Sequence, residues 1–410
     1  MKSLGLALII LGIFTASLIA QTPPSYDLSL PGQPFGVVAS RDQRWVFVSL
    51  PMGEQRGIAV LLNISGKFHR VRTVPTDRPP FGMVLTHSGD MLIVAAQDRV
   101  VFFDAQKLES GQSDPAFRTV MPFQWVSDGP HAGSIYVNVT ADDKTLFVSD
   151  ESAATITVID LDRIRSHARN SAANPQRANS MGGAQDAIIG KIPVGLAPIA
   201  LTFSKDQRWL FTTSEIASPA WGWPAVAKRQ NGMGNVPEGA VVVIDVAKAS
   251  TNPQESAVAR VPAGGSPVRS VLSPDGNRLF VTARSDDAVL VFDTADLIGN
   301  SKNARPVKIP VGANPVPIVL VKEGKLALVG NSNRFSADAK KNSTLTVIDT
   351  SRIGTQENPD IGEIPCGAFP RNCQLSADGQ TLFLTNARSD NLQVLDVNRL
   401  MDIMKKAGPQ

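Results

Sequence analysis

The chain has 410 residues, of which 43% are apolar and 19% charged, with a formal net charge of +3. The apolar share is ample for a buried core and excludes a disordered chain. The small net charge, with no Lys/Arg run beyond pairs, excludes a basic nucleic-acid stripe, and two cysteines are too few for a disulfide framework or a Cys₄ zinc site.

The first segment reads as an export signal. Lys2 supplies a positive start, Leu4 to Ala20 is an apolar run, and Gln21-Thr22-Pro23-Pro24 is polar and proline-bearing. Cleavage is expected after Ala20, which leaves residues 21–410 as one domain. No later stretch reaches the ~18 apolar residues of a spanning helix. The mature protein is therefore expected in a periplasm or outside the cell, without a membrane span.

One phrase then returns seven times, at residues 32–48, 80–94, 134–148, 195–212, 264–293, 312–328 and 367–396. It is clearest in GGSPVRSVLSPDGNRLFVTARSDDAVLVFD (264–293) and GAFPRNCQLSADGQTLFLTNARSDNLQVLD (367–396). Both carry a glycine, a proline three residues on, an apolar alternation, a tight turn, a second alternation, a polar loop and a third run; the other five copies are weaker but register with them. The third runs end at Asn63, Asp104, Asp160, Asp245, Asp293, Asp349 and Asp396. Period-2 alternation predicts strands a, b and c, and a fourth strand d precedes the next glycine, as at 190–194, 257–261, 306–311 and 362–366. Four-stranded units at a period near 40–50 residues predict a β-propeller, all-β, with seven antiparallel blades. The seventh copy lacks a strand d. A strand over about residues 26–31 is left over at the start, and it is expected to complete the last blade and remove the ring's open edge.

The repeat resembles the YVTN-type seven-bladed propellers, a family that includes lactonase-like and surface-layer-type proteins. The resemblance rests on Ser-Pro-Asp-Gly-Asn-Arg-Leu-Phe-Val-Thr (273–282), Ala-Asp-Gly-Gln-Thr-Leu-Phe-Leu-Thr-Asn (377–386) and Thr-Val-Ile-Asp (157–160 and 346–349). It covers nearly all of residues 26–397 and implies a secreted or periplasmic binding or hydrolytic propeller. These phrases are blade scaffold, and no catalytic residue is carried over from them.

Function rides on loops over a rigid scaffold. Strand a lines the channel; the b–c loops and the d–a connections share the face around its mouth. The a–b turns are short and uniform. The b–c loops vary: Pro51 to Gly57, Glu215 to Gly239, and Asn331 to Ser343. Trp221 and Trp223 in the second could stack on a ligand ring or fold inward to pin their own loop. Trp125 to His131 replaces the usual short d–a link, so Trp125 and His131 are expected at the mouth. Tyr136, Arg269, Arg371 and Asn372 come from strand a; Glu151, Glu215, Arg284, Asn333, Arg334 and Arg388 come from b–c positions. The repeated Arg284-Ser285-Asp286 and Arg388-Ser389-Asp390 are either surface ion pairs or part of a cationic funnel for a carboxylate or phosphate.

Residues 163–187, rich in Ala, Asn, Ser and Gly, read as a flexible excursion on the opposite face. Cys366 and Cys373 flank the last d–a connection. In an oxidising compartment they are candidates for a disulfide; the alternative is two buried thiols in adjacent strands. There is no HExxH, CxxCH, Walker loop or GxSxG, and neither a cofactor nor a metal is expected. Two readings follow. The first is a monomeric, exported scaffold that binds a small ligand or envelope protein at the mouth, with no nucleic-acid partner. The second is a hydrolase of a lactone or related ester, with His131, Glu151 and Glu215 as acid/base candidates and Arg269 or Arg371 as stabiliser.

Overall fold

Each copy of the repeat folds into one four-stranded antiparallel sheet, giving seven blades in a closed ring. The computed structural model describes residues 23–109, 122–173, 184–226, 236–336 and 343–407; the expected export signal lies outside them. In blade one the strands a to d are Val37–Ala39, Trp45–Leu50, Gly57–Ile64 and Lys67–Pro75. In blade five they are Pro267–Leu272, Arg278–Ala283, Ala288–Asp293 and Val307–Pro310. Strand b is buried on both faces, as in Trp45–Leu50 and Met91–Ala96, because a blade packs on either side of it. This explains the near-continuous apolar runs of that strand.

The repeated polar residues hold the blades together. The Asp that ends strand c caps the next turn: Asp104 accepts from the Lys107 amide, Asp160 from Asp162, Asp245 from Lys248, and Asp293 from Ala295. At the a–b turn a hydroxyl donates to an Asp two residues on and accepts the amide that starts strand b, as with Ser40, Asp42 and Trp45 or Ser376, Asp378 and Thr381. Gly276 in the Pro-Asp-Gly-Asn turn stands at φ +85°, a left-handed conformation that glycine enters without strain. A hydroxyl near the end of strand b reaches across to a carbonyl in, or just before, strand a of the following blade. Ser49 donates to Phe81, Ser149 to Ile199, Thr213 to Val268 and Thr282 to Val316.

The ring closes as the leftover strand required. Ser25–Ser29 lies antiparallel to strand c of blade seven, with Tyr26 opposite Val394 and Leu28 opposite Leu392. Thr385 of blade seven donates to the Phe35 carbonyl of blade one at 2.9 Å, which continues the hydroxyl series across the seam.

Two sequence expectations need correction. Residues 163–187 are not wholly an excursion: Leu161–Ala173 is a helix capped by Asp160, with Leu161 and Ile164 buried in the core. The Ala-rich composition that suggested flexibility is also a good helix former. The long loop of blade four carries a short ribbon, Ala225–Val226 paired with Val236–Pro237; Arg229 and Asn231 lie outside the described residues. Cys366 and Cys373 are free thiols. Cys366 belongs to the outermost strand of blade six and Cys373 to the innermost strand of blade seven, and the width of a four-stranded sheet is ~14 Å. Both thiols pack on one apolar cluster, and burial pushes the Cys373 thiol up to about 12.

Candidate functional site

The b–c corners of five successive blades bring charged side chains to one face of the ring. Blades three and four contribute Glu151 and Glu215; blades five, six and seven contribute Arg284, Arg334 and Arg388. Glutamates thus come from two neighbouring blades and arginines from the next three.

Arg284 and Glu215 form a two-pronged pair across the blade boundary, with Nη1 to Oε1 at 2.9 Å and Nη2 to Oε2 at 2.6 Å. Both are largely buried (side-chain exposure 6% and 13%). The fork matches the carboxylate geometry and anchors the start of the long blade-four loop. Asp286 pairs instead with Lys308 at 3.0 Å, so the Arg-Ser-Asp motif does not pair with itself in blade five. In blade seven Arg388 is exposed and donates to the Arg334 carbonyl at 3.4 Å.

Phe369, in the last d–a connection, organises the other cations. The guanidinium carbons of Arg334, Arg371 and Arg388 lie 5.4, 5.4 and 5.1 Å from its ring centre, within cation–π range. Arg334 also lies 5.0 Å from the Phe335 ring. Burial, with the nearby charges of Arg284 and Arg371, lowers Arg334 to about 10. Neither Arg334 nor Arg371 has an ion-pair partner among the described residues. Glu151 is open to solvent within the mouth, yet enough protein surrounds it to raise its carboxyl, an effect that Arg371 opposes and Glu215 reinforces.

A stack of rings and guanidiniums joins side chains of four blades. Arg371 lies 4.5 Å from the Phe35 ring centre, Phe35 lies 5.4 Å from Tyr136, and the Arg269 guanidinium carbon is 3.5 Å from Tyr136. Phe81 closes edge-on against Phe35 at 5.2 Å. Arg269 also donates to the Tyr136 hydroxyl. Asn372 uses its side-chain carbonyl to accept the Cys373 amide. Asn333 sits at φ +47° and shapes its turn.

Other expected site residues lie elsewhere. Trp125 is in strand d of blade two, Gln124–Ser127, opposite Val101, with Arg99 4.9 Å from its ring. The strand starts later than the repeat spacing suggested, so Trp125 belongs to the outer edge and not to the mouth. Trp221 and Trp223 pack on each other at 5.3 Å, and Arg260 of the outermost strand lies over Trp221 at 5.2 Å. Both rings also pack against a buried apolar cluster. His131 is exposed in the turn Gly129–Ala132, and no hydrogen bond or ion pair joins it to a described residue.

The aromatic residues Phe35, Phe81, Phe369 and Phe335 were not singled out from the sequence. Three of them stand in the glycine–proline links, where Gln-Pro-Phe-Gly, Pro-Pro-Phe-Gly and Ala-Phe-Pro share an aromatic beside the proline. That recurrence was a usable signal. Among the described residues no group of three or more His, Cys, Asp or Glu is placed to hold a metal ion, and no helix is long and apolar enough to cross a membrane.

No protein-family model and no curated protein matches the chain. Among solved structures, a chain described as Kuenenia stuttgartiensis hydrazine synthase is similar, with a TM-score of 0.62 and 17% identity over 92% of this chain and 98% of that one. At that identity the likeness concerns the fold alone: a seven-bladed propeller.

Proposed function

We propose that this chain is an exported propeller, of the kind its YVTN-like phrases suggest, that binds a small anion carrying carboxylate or phosphate groups at the channel mouth. One observation carries the reading. Three guanidiniums surround a single ring, Phe369, and two of them have no carboxylate partner among the described residues. Cations gathered against their mutual repulsion are arranged for an incoming negative charge, and arginine offers forked donors to it.

Calorimetric titration with citrate and inorganic phosphate tests this. Arg334→Gln and Arg388→Gln are expected to weaken binding roughly tenfold or more each, the scale of one charge-assisted hydrogen bond. Binding should also weaken as salt is raised. Equal affinity in both variants, or no heat from either anion, overturns the reading.

The hydrolase reading keeps one favourable observation, the raised carboxyl of Glu151, which suits a general acid. It lacks an oriented histidine, and Glu215 is engaged by Arg284. Turnover of a lactone panel that disappears in Glu151→Gln would establish it in place of simple binding.

A further inference from the structure

The stack across the channel has a second side. Below Tyr136 and Arg269 lies a cavity of about 380 Å³ that reaches the a–b turns on the face opposite the mouth. Its walls come from strand a of several blades. Val84, Leu85 and Val137 supply apolar surface, and Asn372 and Gln374 supply amides. Phe35, Phe81 and Arg371 are not among its walls, so the stack separates it from the mouth.

The guanidinium of Arg269 forms its roof. It has five N–H donors, of which the Tyr136 hydroxyl receives one, and no ion pair is made with any described residue. Holding a half-buried cation without a counter-ion costs free energy. Burial and the neighbouring Arg371 accordingly pull its pKa downward. Arg41, His87 and Glu109 also line the cavity, from the turns at its outer end; the inner part holds the Arg269 charge alone.

We propose that this cavity is a second ligand site, distinct from the mouth, and that it takes a small monocarboxylate with an apolar body. The carboxylate meets the free edge of Arg269 and supplies the missing counter-charge. The apolar body lies against Val84, Leu85 and Val137. One cation at the inner end matches one negative charge; a phosphate dianion would need a second. The volume falls within the range of small-molecule pockets, ~300–1,000 Å³.

Titration calorimetry with benzoate and hexanoate, against benzamide and hexanamide, tests the assignment on the mature protein. The carboxylates should bind and the amides should bind roughly tenfold or more weakly. Arg269→Gln should cost the same factor, and Arg269→Lys, which keeps the charge and loses the fork, should fall between. Val84→Phe fills the cavity without touching a charge and should also abolish binding, so the proposal stays testable if Arg269→Gln fails to fold. Arg388→Gln should leave benzoate affinity unchanged while weakening citrate, which separates this site from the mouth. The proposal is overturned by absence of carboxylate binding at millimolar concentration, by wild-type affinity in folded Arg269→Gln or Val84→Phe, or by equal loss in Arg388→Gln.

Discussion

Glu109 shows how position alone changes a residue's chemistry. It follows the short helix Ala105–Leu108 and lines the outer end of the channel cavity. Burial, reinforced by Asp42 and opposed by Arg44, lifts its carboxyl from the ordinary 4.5 to about 7. Below pH 4.5 both the folded and unfolded chains hold this proton. Between 4.5 and about 7 the unfolded chain has released it and the folded chain has not, so stability falls as pH rises; above about 7 the loss is complete. Glu109→Gln is therefore expected to raise the melting temperature by a few degrees at pH 8 and leave it unchanged at pH 4. Thermal unfolding at the two pH values checks this, and an equal gain at both would assign the effect to packing instead. The cations around Phe369 illustrate the same point: their side chains are ordinary surface arginines in sequence, and only convergence from three places in the ring makes them a group.

At the scale of elements, the terminal strand has the largest expected effect. Ser25–Ser29 supplies the outer edge of blade seven, and its Tyr26 hydroxyl accepts the Phe68 amide of blade one at 3.0 Å. It therefore joins two blades as well as completing one. Removing residues through Ser29 exposes the edge of Asn391–Asp396 and unseats Tyr26 and Leu28 from their apolar cluster. Loss of several kcal/mol in a domain of this size should lower the melting temperature by roughly 5 °C. Calorimetry of the truncated chain gives the answer; an unchanged transition would mean that closure adds no stability. Helix Leu161–Ala173 makes the complementary point. Its cap and its two buried residues resemble the short caps of the other blades, but its length comes from local sequence and not from the repeat.

At the scale of the whole molecule, stability depends on contacts between blades far apart in sequence. Thr385 to Phe35 spans 350 positions, yet it repeats the bond that neighbouring blades make locally. Thr385→Val keeps the shape and removes the hydroxyl. It leaves the Phe35 carbonyl and the Asn372 amide, which the hydroxyl also serves at 3.0 Å, without partners. A cost of about 2–3 kcal/mol is expected from these buried groups, measurable by denaturant unfolding. Thr213→Val is expected to cost no less if every blade boundary bears the ring equally, since Thr213 serves the Val268 carbonyl and the Ala200 amide in the same way.

The repeat was legible because blade formation is local. Alternation, the turn Ser-x-Asp and the Asp cap each act within a few residues, so every copy announces its own strands, and the strand left over at one end matches the strand missing at the other. The placement of Glu151, Glu215, Arg284, Arg334 and Arg388 at b–c corners was also legible, since those corners follow a strand b that recurs in every copy. What each does was decided by neighbours from other blades. Arg284 is bound to Glu215 and Arg388 rests against Phe369, although both stand in the same tripeptide. Trp125 fell on the outer edge because an insertion delayed its strand. Trp221 and Trp223 pack against each other, Arg260 and a buried apolar cluster. The stack of Arg371, Phe35, Tyr136 and Arg269 depends on side chains meeting from four blades. Period and spacing are properties of one segment and can be read along it; charge pairing, burial and stacking belong to side chains that only ring closure brings within a few ångströms of each other.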